Sequence, residues 1–205
     1  MGWTEEVSEL VAEWLPAPAR LLEVGCGTGE LALRLERDGY HVLAIDPRAP
    51  DGPIFRRTTL EELAAAGTFD AVVANRSLHH VRDLETGLDK ISRLLRPGGV
   101  LVLNEFAPDR ADAATVEWCA RLDEHHPDAS LEHWRARHAD VHGHAAISAA
   151  LRPRFEELLF RWHPHMGLEL GRPDVLASER ELIAAGRIRA LGYQYVGLRS
   201  AADRP

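Results

Sequence analysis

Four places in this sequence hold residues able to grip a charged ligand or move a proton. The first is residues 21–29, where an apolar run carrying Glu23 leads into Gly25, Cys26, Gly27, Thr28 and Gly29, then into a helical stretch opening on Glu30. A second apolar run, residues 42–45, ends on Asp46, about 20 residues beyond the first glycine. Strand, glycine turn, helix and strand-end acid at this spacing mark a βαβ unit for a nucleoside-like ligand. Glycines let backbone approach a ligand that a Cβ would hold off. A dinucleotide site sets its third glycine at the helix start, beneath a pyrophosphate. Here that glycine comes one position early and Glu30 takes its place. A carboxylate there competes with phosphate for the positive end of the helix dipole. With Glu23 close by, the turn suits a ligand bearing an ammonium or sulfonium group.

The second place is residues 75–80. Asn75, Arg76 and Ser77 follow a buried-looking apolar run, at the carboxyl edge where α/β sheets bind ligands. His79 and His80 come next: one is a base or substrate contact, or the pair starts the next helix. The third is Glu105, at the end of another apolar run, which binds or deprotonates a substrate or forms an ion pair at the sheet rim. The fourth is residues 138–144, where His138 and His142 share a helical face. Histidines so spaced can ligate zinc. The helical zinc-protease pattern needs Glu after the first histidine, and Ala139 stands there, so no metal is expected. Gly143 ends that helix in this reading, and His142 favours its negative end or lines a substrate pocket. Trp118 and Trp134 line that pocket or anchor the segment to the core. The catalytic candidates are His80, Glu105 and His142.

These stretches, in this order, resemble class I S-adenosylmethionine (SAM)-dependent methyltransferases of the small-molecule type. The matching residues are 22–29, 44–47, 69–81 and 94–101, and the resemblance covers roughly residues 20–106. SAM meets the charge requirement above, having a sulfonium and an amino group. By motif position the resemblance implies Gly25, Gly27 and Gly29, with Cys26 between them, beside the methionine part and ribose. It implies Asp46 on the ribose diol and Pro47 beside the adenine. Many relatives carry an acid before the short helix near residue 60 to reach the adenine amine. Here Thr58, Thr59 and Leu60 stand there, so the Thr59 hydroxyl substitutes and Leu60 packs on the ring. Glu23, Asn75, Arg76 and Ser77 complete the expected cofactor set. The stretch after residue 74 is not the Asn/Asp-Pro-Pro-Tyr type of enzymes methylating amino groups of nucleic acids or protein glutamine. The expected function is methyl transfer from SAM to a small molecule. A SAM-binding regulatory or partner module without transferase activity is the alternative. Glu30 speaks against a third reading, a nicotinamide-dependent oxidoreductase.

The elements that must position these groups are legible from period and punctuation. Thr4 is expected to cap a helix to about Leu15, ended by Pro16 and Pro18. Strands are expected at 20–24, 42–45, 54–57, 71–74 and 100–103, with helices to about Arg37, at 60–66 and from Leu84 to Leu95. Residues 96–99, Arg-Pro-Gly-Gly, break that last helix. Residues 109–152 read as helical, residues 155–162 alternate loosely, and a helix at 173–186 and a strand near 193–198 follow. The implied fold is α/β: a Rossmann-like, doubly wound, seven-stranded, mostly parallel sheet with an antiparallel last strand. One domain, 1–205, is expected, with a helical cap insertion at about 109–152 after strand five. Residues 201–205 are expected to fray. The 205 residues suffice for a sizeable core. With 24 basic and 32 acidic residues, a net charge of −8 argues against a broad nucleic-acid footprint. Cys26 and Cys119 suit a reducing cytoplasm, and no signal-peptide pattern or membrane-spanning run is read.

Overall fold

A computed structural model of the chain describes residues 2–64, 69–122 and 130–199. The elements run α1 (Trp3–Trp14), β1 (Arg20–Val24), α2 (Glu30–Arg37), β2 (His41–Ile45), β3 (Phe55–Arg56) and β4 (Phe69–Asn75), then α3 (Leu84–Leu94) and β5 (Leu95–Phe106). After these come α4 (Ala113–Leu122), α5 (Leu131–Arg137), α6 (His144–Leu151), β6 (Phe155–His163), α7 (Met166–Glu169), α8 (Pro173–Ala184) and β7 (Gly192–Arg199). The strands form one seven-stranded sheet in the order β3-β2-β1-β4-β5-β7-β6, and β7 runs antiparallel to both its neighbours. The order reverses between β1 and β4, the point where doubly wound sheets open a ligand crevice.

Side chains alternate across the strands and supply two cores. Leu22, Val72 and Leu101 pack with Leu88 and Ile91 of α3 and Ile147 of α6. Leu21, Val73 and Val102 pack with Leu10 of α1 and Leu35 of α2 on the other face. Among the described residues no helix is long and apolar enough to cross a membrane.

Several local expectations change. α1 starts at Trp3 and not after Thr4, because the Glu5 carboxylate accepts the Gly2 N–H at 2.7 Å and closes the first turn there. Residues 60–62 form a turn where a helix over 60–66 was expected, and residues 65–68 lie outside the described residues. The Arg-Pro-Gly-Gly stretch at 96–99 is taken up as an irregularity of β5, whose register against β4 jumps from Phe69–Leu95 to Ala71–Val100. His79 and His80 do not open α3. They sit in a one-turn 3-10 helix (Leu78–His80), and α3 begins after Asp83, whose carboxylate accepts the Thr86 N–H at 3.1 Å. Residues 201–205 lie outside the described residues.

The glycine turn separates two jobs. Gly29, at φ 82°, caps α2 in the left-handed region, and a Cβ on it would stand 2.6 Å from the Phe55 ring. Gly27, at φ 51°, has nothing within 4 Å of a Cβ position. Gly29→Ala is therefore expected to lower unfolding free energy by about 2–4 kcal/mol, from left-handed strain plus overpacking. Gly27→Ala carries the strain alone, about 1–2 kcal/mol. Urea unfolding checks this, and equal losses would refute the division.

Candidate functional site

Two cavities open at the carboxyl edge of the sheet. The larger, about 1130 Å³, is bordered by the glycine turn, the ends of β1 and β2, residues 58–62, the loop after β4 and the start of α1. Glu23, Gly25, Cys26 and Gly27 line it, as do Asp46, Pro47, Thr59 and Leu60, and so do Asn75, Arg76 and Ser77. Gly29 does not: it faces Phe55 and Pro50. The Asp46 carboxylate ties the turn together by accepting the Arg48 N–H at 2.7 Å and the Gly27 N–H at 3.2 Å. Thr59 and Glu62 hold each other, the hydroxyl accepting the Glu62 N–H at 3.2 Å and the carboxylate accepting the Thr59 N–H at 3.3 Å. Glu61 and Glu62 bring to the wall the acid that residues 57–60 lack. The opening residues of α1, including Trp3, also line this cleft. Sequence reading missed that contribution, which no local motif signals.

Glu23 is the buried acid of the cleft. It is 2% exposed, and its Oε2 has no partner among the described residues. Burial pushes its carboxyl up to about 8; a backbone hydrogen bond from Ala32 opposes the rise and Asp46 adds to it. At neutral pH the free protein therefore holds this group largely protonated. An entering cation reverses that balance.

The smaller cavity, about 430 Å³, lies beyond the loop after β4. Arg76 and His80 line both cavities and mark where they meet. Its wall is aromatic: Phe106 stacks on His165 with centroids 4.4 Å apart, and Trp134 lies 4.3 Å from His138. Trp134 donates its Nε1–H to the Pro108 carbonyl at 2.9 Å, which fixes its ring. Trp118 instead packs beside Trp134 and Val116 in a satellite core and does not line the cavity.

Glu105 organises the loop between the cavities. Its Oε1 accepts the Ser77 N–H at 2.9 Å and the Leu78 N–H at 2.6 Å. Its Oε2 lies 2.6 Å from His79 Nδ1. A carboxylate only accepts, so Nδ1 carries a proton, and in the neutral ring Nε2 holds the lone pair. His79 is 7% exposed and lines the smaller cavity. The neighbouring His80 ring lies 4.1 Å from it, and burial, with His79 second, holds His80 below the usual histidine range. Sequence reading put His80 forward; the partnered histidine is His79.

His142 is drawn in elsewhere. Its backbone N–H donates to the His79 carbonyl at 3.0 Å and its Nε2 lies 2.8 Å from the Val81 carbonyl. It brackets the 3-10 turn from outside. His138 and His142 do not share a helical face, because α5 ends at Arg137 and His138 Nδ1 bonds the Trp134 carbonyl at 2.8 Å. His125 and His126 lie outside the described residues.

The last wall comes from α7, which sequence reading did not see. Glu179 of α8, 1% exposed, accepts the N–H groups of His165, Met166 and Gly167 at 2.8, 3.1 and 2.8 Å. Those are the donors a helix start leaves unpaired. This anchor places His165, Met166 and Glu169 on the smaller cavity. Burial pushes the His165 imidazole down to about 3, so it is neutral at physiological pH.

Comparison with known proteins agrees with this fold. A methyltransferase of Mycobacterium tuberculosis described as uncharacterized is 39% identical over 102 residues, 42% of this chain and 50% of that protein. A ubiquinone biosynthesis O-methyltransferase of Xanthomonas axonopodis is 39% identical over 127 residues, 52% of this chain and 53% of that protein. The chain thus spans about half the length of these curated relatives. The crystal structure of Burkholderia thailandensis 1,6-didemethyltoxoflavin-N1-methyltransferase, with its acceptor and S-adenosylhomocysteine bound, shares the fold. Its TM-score is 0.60 at 19% identity, over 97% of this chain and 78% of that one. The family model described as a methyltransferase domain matches residues 2–160, and by that match the chain belongs to the methyltransferase domain family.

Proposed function

We propose that this protein transfers the methyl group of SAM to a hydroxyl group on a small aromatic molecule, with SAM in the larger cleft and the acceptor in the smaller. The residues fit SAM on two counts: Gly27 leaves open a cradle that a Cβ would fill, and Glu23 offers a buried, unpartnered carboxyl oxygen. When bound, SAM supplies an electrophilic methyl group on a sulfonium. In this reading Glu23 faces its ammonium, Asp46 its ribose diol, and Glu61 and Glu62 stand on the adenine side. Of the segment 109–152 expected as a cap, α4 and α5 stand over the acceptor within one domain, while α6 packs into the core of the sheet.

The observation that carries the proposal is the His79–Glu105 pair on the acceptor wall, beside Arg76 and His80, where the two cavities meet. His79 Nε2 takes the acceptor's hydroxyl proton as the oxygen attacks, and Glu105 steadies the imidazolium that forms. The aromatic wall holds a flat ring in line for displacement. The Xanthomonas relative, an O-methyltransferase by name, supports oxygen as the nucleophile. A cavity of about 430 Å³ beside the cofactor cleft favours an enzyme over a SAM-binding partner module. Two buried thiols without a disulfide suit the cytoplasm.

Incubation with methyl-labelled SAM and a panel of phenols and matched anilines tests this. Label is expected on phenols, with His79→Gln lowering kcat roughly 10²–10⁴-fold and leaving SAM affinity intact. Tight SAM binding with no label on any phenol would sink the proposal.

A second measurement concerns protons. Glu23 has a raised folded-state pKa, so its stability contribution is full below about 4.5, the unfolded value, and is lost as pH rises through about 8. An ammonium beside it favours the ionised form. SAM binding at pH 6.5 is therefore expected to release a proton, seen as a calorimetric enthalpy that varies with the buffer's ionisation enthalpy. Glu23→Gln should remove most of that dependence. An unchanged dependence in the variant disproves the assignment.

A further inference from the structure

The two cavities differ in the sign of their charge. Around the cofactor cleft Glu5, Glu30, Asp46, Glu61, Glu62 and Asp83 outnumber the arginines. The smaller cavity has Arg76 and Arg137 against Glu169. Burial holds His80, His138 and His165 below the usual histidine range, so they do not alter that balance at neutral pH. In a chain of net charge −8, the cations lining this cavity outnumber its lining acids by one, with the Glu105 carboxylate behind the His79 ring. An excess of lining cations raises the local concentration of anions.

Arg76 is built to serve it. Its backbone is left-handed, at φ 54°, and its N–H donates to the Asn104 carbonyl at 2.7 Å. Its guanidinium lies 5.0 Å over the Trp3 ring and pairs through Nη1 with Glu169. Its Nε is buried and has no partner among the described residues. A guanidinium grips a carboxylate best through two parallel N–H bonds. Glu169 accepts from Nη1 and leaves the Nε–H donor unpaired. The pair is a third to two-fifths exposed, so an incoming anion can displace the glutamate.

We propose that Arg76 selects the acceptor by exchanging Glu169 for an anionic group on a planar ring, so that the natural acceptors are aromatic acids. This rests on reading the smaller cavity as the acceptor's. Flatness follows from the stacked Phe106–His165 wall and Trp134; the anion follows from Arg76 and Arg137. Because Arg76 also lines the cofactor cleft, the cofactor's own carboxylate has the same chemistry, and the experiment separates the two.

The probes are 3-hydroxy-2-naphthoate and its amide, titrated calorimetrically into the full chain saturated with S-adenosylhomocysteine. The naphthoate is expected to bind at least about tenfold tighter than the amide, and Arg76→Gln to weaken it roughly 30-fold while changing the amide little. Glu169→Gln, which frees Arg76, should tighten the naphthoate about threefold and leave the amide unchanged. This second variant keeps the test alive if Arg76→Gln does not fold. Affinity for S-adenosylhomocysteine should hold within about threefold in Glu169→Gln and fall less than that for the naphthoate in Arg76→Gln. Equal binding of acid and amide, or no binding of the naphthoate, overturns the proposal. So does an Arg76→Gln variant that loses S-adenosylhomocysteine instead. None of these readouts uses methyl transfer: a chain that binds the acid through Arg76 yet moves no methyl overturns only the proposed function, and one that methylates phenols without preferring acids overturns only this inference.

Discussion

The Glu105 carboxylate is the contact on which the rest of the site depends. The β4–β5 register pairs Asn75 with Asn104, so Glu105 comes level with the chain as it leaves the sheet after β4. There it is 1% exposed and collects the Ser77 and Leu78 N–H groups and the His79 ring. A buried carboxylate without donors is strongly destabilising, whereas one met by several N–H groups holds its surroundings in a single arrangement. One such arrangement puts Arg76 and His80 between two cavities and turns His79 into only one of them. Ser77 closes the frame by donating its hydroxyl to the Val24 carbonyl, which ties the loop to the strand that feeds the glycine turn.

Burial does different work on the two sides of that loop. In the larger cleft it raises an acid, Glu23, so that this one group carries little charge in the free protein. In the smaller cavity it lowers histidines, so that rings otherwise capable of carrying charge behave as flat, neutral surfaces. The arginines escape this because a guanidinium keeps its proton even when partly desolvated. Charge in each cavity is therefore decided by a few groups that burial cannot neutralise.

The sheet, the glycine turn and Asp46 were legible in the sequence because their signals are local: apolar runs, positive-φ glycines and an acid at a fixed distance. The residues expected around the ligand line the larger cleft, with Gly29 the exception, since sequence shows a glycine without showing which side of it is crowded. Seeing that His79 and not His80 meets Glu105 needed the 3-10 turn at Leu78–His80 and the partner residue on β5. The His138–His142 face failed because α5 ends at Arg137, and an i, i+4 spacing has meaning only inside a continuing helix. α7 was invisible: four residues carry no period, and its stabilising partner lies on the following helix.

The Glu179 anchor has a consequence for how such a protein changes its chemistry over time. It grips α7 only by main-chain N–H groups, which every residue but proline supplies. Gly167 is the constrained position, pressed against the Leu176 backbone, while the Met166 side chain is fixed by neither device and that of Glu169 is tied, among the described residues, only to Arg76. Substitutions at those two side chains can reshape the wall of the smaller cavity while leaving the sheet, the glycine turn and the His79–Glu105 pair in place. The fold thus sets an exchangeable panel beside a tightly bonded sheet edge, and in the proposed reading divergence toward new acceptors has its shortest route through that panel.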